Sequence, residues 1–299
     1  MANSSSPASR KHARGILRAR LKPGLSKRKA EEQGVISSLG TFRNYAQCLS
    51  QYLEWARLNG IAAPELGSRK HLIAYLQDLA EDHAQSTVDQ HHNALSFAFS
   101  SKIERVPSFL TAQKTDRAYR KSEFAPITQL LNERNAISAA LCFFAGLRAH
   151  EPATILRRDE CEPSTHRTWS PDRFVALPYN HVLYVVTGKG GLRREVAVPV
   201  ILAEQLEERR LAIPKTVMDR GIKYSSNYDI GFGQSLSMAF TRASQAALGW
   251  SAGLHGLRHA YAQWRLRSLC AEFEDWQRAA ETVSQELGHF RMEITFAYI

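Results

Sequence analysis

The pentapeptide His255-Gly256-Leu257-Arg258-His259 sets two imidazoles and a guanidinium in one helical segment. A spacing of three puts His255 and Arg258 on the same helical face. His255 and His259 have the i, i+4 spacing of helical zinc sites, but Gly256 stands where that motif needs a glutamate, so no metal is expected. Alone, a His-x-x-Arg pair most often belongs to a solvated surface. Three further pieces give it meaning: Gly146-Leu147-Arg148-Ala149-His150-Glu151, Gly188-Lys189-Gly190, and Leu287-Gly288-His289 with Tyr298 beyond it.

The segments around these pieces set the expected architecture. Phe42, Tyr45, Leu49, Tyr52 and Leu53 recur at helical spacing from Thr41, and Gly60 supplies a stop. Leu72, Ile73, Leu76 and Leu79 suggest a second helix. Ser86-Thr87-Val88-Asp89 fits a capping box opening a third, which continues through Leu95 and Phe99. The result is a small all-α unit over 38–104. Before it, 1–37 carries nine Lys or Arg ahead of the first acidic residue and is expected to be a flexible basic arm. After it, 105–121 holds Arg105, Lys114, Arg117, Arg120 and Lys121 and reads as a basic linker. The second domain, 122–299, opens with an apolar helix ending at Gly146, and a further helix is expected from Pro152. Val182–Val186 and Glu195–Val198 flank the Gly188–Gly191 turn as a two-stranded hairpin with Lys189 near its tip. Everything from about 200 reads as helical.

A net charge of +10 and a pI near 9.6 favour a polyanionic partner, nucleic acid before membrane. No apolar run reaches the ~18–20 residues that span a bilayer, and the first thirty residues lack a signal-peptide core. Cys48, Cys142, Cys161 and Cys270 form no CxxC pair, as expected of reduced cysteines in a cytoplasmic protein.

In this order and at these intervals, the four pieces resemble the tyrosine recombinase (phage integrase) family, whose signature is Arg…Lys…His-x-x-Arg…His…Tyr. Glu151, three after Arg148, and Thr295, three before Tyr298, extend the likeness. The resemblance implies a mainly α fold with a small β-sheet: an all-α, SAM-like core-binding domain followed by a mixed α/β catalytic domain. It implies catalytic roles for Arg148, Lys189, His255, Arg258, His289 and Tyr298, with Glu151 orienting Arg148 or capping a helix. It also implies a homotetramer on paired double-stranded DNA sites, and a 3′-phosphotyrosyl intermediate that needs neither ATP nor metal. The chain contains no GxxxxGK[ST] loop and no carboxylate cluster suited to Mg²⁺. A catalytically silent DNA-binding relative and a type IB topoisomerase are the alternatives.

The residue types suit that chemistry on physical grounds. Two guanidiniums can hold the non-bridging oxygens of a phosphodiester through paired, charge-assisted hydrogen bonds. A helix starting after Arg148 would add favourable potential for an anion. Fully ionising a phenol with a pKa near 10 at pH 7 costs about 4 kcal/mol, which a cationic pocket lowers. His255 is expected to accept that proton, Lys189 to protonate the departing 5′-oxygen, and His289 to hydrogen-bond the phosphate or position Tyr298. Arg10, Lys11, Arg14, Arg18, Arg20, Lys114, Arg117, Arg120 and Lys121 are candidate DNA contacts. Two departures from the family stand out. The Arg258–His289 interval is long, leaving room for an extra amphipathic helix at about 271–285 of unknown purpose. The chain also stops after Ile299, where relatives continue into a segment that docks on a neighbour, so truncation or another mode of subunit coupling is expected.

Overall fold

A computed structural model describes residues 5–110, 117–188 and 190–290. The chain divides into two compact units, Met1–Thr115 and Asp116–Ile299. Among the described residues, no helix is long and apolar enough to cross a membrane.

The first unit holds α1 (Pro7–Arg18), α2 (Lys27–Glu32), α3 (Leu39–Leu58), α4 (Arg69–Asp82) and α5 (Gln85–Phe99). Ser38 starts α3 by accepting from the N–H groups of Gly40 and Thr41. The expected apolar stripe packs as a core around Leu49, Tyr52, Leu72, Leu76, Val88 and Leu95. At α5 the expected capping box is absent: the helix begins one residue earlier, and its N-cap Ala84 makes no side-chain bond. Gln85 turns instead to Asp89 (2.8 Å), and Asp89 pairs with Arg105 (2.9 Å).

The flexible arm expected over 1–37 is corrected. Its residues 7–18 form α1, in which Ala13 and Leu17 are fully buried against the same core. Ser6 caps the helix, and Ser9 Oγ donates to Glu54 Oε2 on α3 (2.8 Å). Two apolar positions four apart give a helix one sticky edge, while its arginines keep their charges in water. Composition overshadowed that edge. Arg20 is likewise structural: it donates to the Phe97 carbonyl and to Ser100 Oγ (2.7 Å), capping the end of α5. The expected linker 105–121 is corrected too. Phe109 N–H bonds Ala80 O (3.0 Å) inside the first unit, whereas Tyr119 is buried in the core of the second.

The second unit runs α6 (Lys121–Gln129), α7 (Glu133–Phe144), a 3₁₀ turn (Glu151–Thr154), β1 (Leu156–Arg157), β2 (His181–Thr187), β3 (Arg193–Pro199), α8 (Val200–Glu207), β4 (Arg210–Asp219), β5 (Ile222–Tyr228), α9 (Gly233–Leu248), α10 (His255–Phe273) and α11 (Trp276–Glu286). The first sheet is antiparallel in the order β1-β2-β3, with Tyr184 opposite Val196 and Val186 opposite Arg194. Val196 and Val198 pack into the core with α7, α8 and α10.

Two expectations fail here. The helix from Pro152 is only the 3₁₀ turn. The all-helical reading after residue 200 misses the β4–β5 hairpin, whose two-residue turn uses positive φ at Arg220 and Gly221. Tyr224, Ser226 and Tyr228 alternate inward on β5, but a polar residue among them and the exposed Ile222 before them hide the period-2 signal. This hairpin packs on the 3₁₀ turn, with the Tyr224 ring 6.3 Å from that of His150.

Candidate active site

The site grows from the turn that ends α7. Gly146 has φ +64°, and a Cβ there would sit 2.6 Å from the Tyr261 ring, so both backbone and space demand glycine. The turn delivers Arg148 to Glu151. Arg148 N–H donates to Oε2 and its Nη1 to Oε1, each at 2.8 Å. One carboxylate thus binds both the backbone N–H and the guanidinium of Arg148. Glu151 has no exposed side-chain surface, while 27% of the Arg148 side chain remains accessible.

Arg258, one turn into α10, is fully buried. Its Nη1 donates to Gly146 O, its Nη2 donates to Leu287 O (2.6 Å) and lies 3.2 Å from His289 Nε2. Gly256 is needed beside it, because a Cβ there would lie 2.4 Å from Arg117 O. His255, the first residue of α10, is exposed at the helix start. His289 is half-buried, directly after the turn that follows α11.

The extra helix has a physical purpose. α11 ends in Glu286, whose buried carboxylate accepts from Arg265 Nε (2.9 Å) and Nη2 (2.7 Å), Tyr261 Oη (2.9 Å) and Phe174 N–H (2.9 Å). Ala279, Ala280 and Val283 pack against Leu266 and Leu269 of α10. The turn carrying Leu287 and His289 is therefore anchored to the same helix that carries Arg258.

Sequence reasoning missed three residues that hold this arrangement: Arg194, Arg265 and Glu286. Arg194 is 1% exposed. It shares a face of β3 with Val196 and Val198, so period-2 alternation already pointed it inward. Arg265 falls on the buried stripe of α10 with Arg258, Tyr261 and Leu269, a helical repeat that a charge-based reading passes over.

Three guanidiniums around one carboxylate leave the site positive. Burial would raise the Glu151 pKa, but Arg194, Arg258 and Arg148 outweigh it and hold the carboxyl well below its usual range. His289 is lowered to about 3, by burial first and then by Arg258, Arg148 and Arg194. His255 is lowered by the protein around it and then by Arg258, His259, Arg148 and Arg117. His289 is therefore a neutral imidazole at pH 7. A bound phosphate would cancel part of this field and raise both histidines.

Of the expected site residues, Arg148, Glu151, Arg258 and His289 converge, and His255 stands within the field of the same arginines. Lys189, Tyr298 and Thr295 lie outside the described residues, as does Lys114. Gly188, at the end of β2, lies close to Arg148 and Glu151: a Cβ there would be 3.7 Å from Arg148 Nη1 and 3.3 Å from Glu151 Oε1. Arg10, Lys11, Arg14 and Arg18 are exposed on α1, and Arg10 and Arg14 line a cleft with Arg43 and Gln47 of α3. Arg117, Arg120 and Lys121 are exposed at the start of the second unit.

Residues 37–106 match the family model of the phage integrase N-terminal SAM-like domain. By sequence, no curated protein is a match. In three dimensions the chain is similar to a XerH site-specific recombinase bound to difH substrate in a pre-cleavage complex. The TM-score is 0.56 at 16% identity, over 97% of this chain and 90% of that one. The XerH post-cleavage complex with palindromic difH gives 0.55 at 15% identity, over 97% and 90%. Lambda integrase (residues 75–356) bound to DNA gives 0.50 at 15% identity, over 96% and 92%. Residues 37–106 thus form a phage-integrase SAM-like domain, and the chain as a whole has the tyrosine-recombinase fold.

Proposed function

We propose that the protein is a site-specific DNA recombinase that cleaves and rejoins double-stranded DNA through Tyr298, in the integration or excision of a mobile element. The observation that carries this reading is the meeting of Arg148, Arg258 and His289 around the Gly146 turn, with Glu151 buried behind them.

In this reading Arg148 and Arg258 hold the non-bridging oxygens of the scissile phosphate, and preorganised charge of this kind is commonly the largest catalytic contribution. The Tyr298 oxygen attacks phosphorus and passes its proton to His255, while the bond to the 5′-oxygen breaks. Lys189 protonates that leaving oxygen, and a 3′-phosphotyrosyl link remains. His289, uncharged, donates one hydrogen bond to the phosphate. A 5′-hydroxyl of a second strand then attacks the link, forms the new phosphodiester and releases the phenol. The phosphotyrosyl ester conserves the bond energy, so ATP is not consumed. Two paired sites require four protomers, and the exposed cations of α1 supply sequence-independent affinity.

The test uses a pool of duplexes with randomised sequence and a single nick that lets the 5′ fragment diffuse away. Wild-type protein should form a DNA adduct stable to denaturation, and sequencing the captured strands should return one motif. Tyr298→Phe should form none. If the wild type forms no adduct yet binds duplex, the chain is a silent DNA-binding relative. Relaxation of supercoiled plasmid without any preferred site would indicate a topoisomerase.

A further inference from the structure

We infer that Arg194 is a positioning residue that locks Arg148 and the His289 turn into one geometry by gripping three separate segments at once. The inference concerns the site of the proposed cleavage and rests on that reading for its kinetic test. Arg194 Nη2 donates to Glu151 Oε2 (2.7 Å) and to Gly146 O (3.3 Å), and its Nη1 donates to Glu286 O (2.8 Å). These acceptors lie 43, 48 and 92 residues away in sequence. Each belongs to a segment that presents a functional side chain: Glu151 holds Arg148, Gly146 O also takes Arg258, and Glu286 precedes Leu287 and His289.

The chemistry explains why arginine stands there. A planar guanidinium directs donors along fixed, divergent axes and can serve three acceptors without moving, whereas an ammonium on a flexible stem cannot fix three segments. Burial makes the arrangement strict, since Arg194 and Glu151 are 1% and 0% exposed and water cannot replace a lost partner. Gly288 confirms the closeness: a Cβ there would lie 2.9 Å from Arg194 Cδ. The charged and titratable groups around the Glu151 carboxylate are Arg194, Arg258, Arg148, His150, His289 and Cys142. Arg194 is the strongest of the cations opposing the effect of burial on Glu151.

The experiment compares Arg194→Lys, Arg194→Met, Glu151→Gln and the double variant Arg194→Met/Glu151→Gln with wild type. Adduct formation is followed from pH 6 to 9 at saturating nicked duplex, and thermal unfolding from pH 5 to 8. Arg194→Met should slow adduct formation about 10²-fold with duplex affinity unchanged, the size expected when a reacting group is displaced by about 1 Å. The loss should deepen as pH falls, because Glu151 without Arg194 takes up a proton and releases Arg148. Unfolding should show the linked sign: the native variant binds more protons than native wild type, so the gap in Tm widens as pH rises. The double variant should abolish that pH dependence, and Arg194→Lys should lose about tenfold in rate with little of it. Wild-type rates in Arg194→Met, or deficits in rate and Tm that ignore pH and are unchanged by Glu151→Gln, would overturn the inference. If even wild type forms no adduct, the cleavage reading fails. The pH slopes of unfolding then still decide whether Arg194 governs Glu151.

Discussion

Arg14 on α1 and Arg194 on β3 are the same residue type set in similarly basic stretches, yet they have opposite surroundings. Arg14 is exposed beside Arg10 and Arg18, on a helix whose first turn has no acidic residue. Arg194 is buried and bonded to a carboxylate and two carbonyls. An exposed guanidinium acts at a distance, is screened by salt and tolerates replacement. A buried one acts by geometry, is barely screened, and leaves its partners stranded when removed.

The strongest way to break this contrast is at Glu286. Glu286→Ala strands Arg265, which is fully buried, and should cost about 3–5 kcal/mol in denaturant unfolding. Replacing both partners, as in Arg265→Met/Glu286→Leu, should recover most of that. A single-variant cost below about 1 kcal/mol would show that the buried charges are not a unit.

The next effect tests whether α1 belongs to the first unit. Leu17 is fully buried there, so Leu17→Ala should destabilise by about 2–5 kcal/mol. A free arm would show no change in the unfolding midpoint.

A third test sets the histidines of the two units side by side. His91, with its Nδ1 2.9 Å from Tyr75 Oη, is lowered to about 4 by burial and by His83. His289 is lowered to about 3 by burial and arginines. A histidine with a depressed folded pKa contributes stability that is present above its unfolded value near 6.5 and is lost as pH falls toward the folded value. For His91 the loss should reach about 2 kcal/mol at pH 5, and His91→Gln should flatten the acid limb of the unfolding curve. An unchanged limb would remove His91 as its source.

The smallest stability effect belongs to the exposed cations. Arg10→Ala, Arg14→Ala and Arg18→Ala should each change stability by less than about 0.5 kcal/mol. Each should nevertheless reduce the slope of log affinity for duplex against log salt by about one. A slope unchanged in the triple variant would exclude α1 from the DNA surface.

Much of this molecule was legible before any coordinates. The stripe of α3 and the β2–β3 hairpin follow from periodicity, whereas Arg148, Arg258 and His289 were singled out only by their likeness to a family signature. α1 was not legible, because a helix held by Ala13 and Leu17 looks like a charged tail when composition is weighed over a window. Nor was the β4–β5 hairpin, whose inward residues on β5 are tyrosine and serine rather than aliphatic ones.

The amino-acid order alone determined which charged side chains stand at helical or hairpin spacing, because local spacing and charge are properties of the chain. Only the folded arrangement decided which carboxylates and carbonyls receive the inward-facing arginines. That choice depends on partners 21 to 112 residues away, such as Glu286 for Arg265 and Gly146 for Arg258. Burial and hydrogen bonding arise from contacts between distant segments, and no short window of sequence contains them.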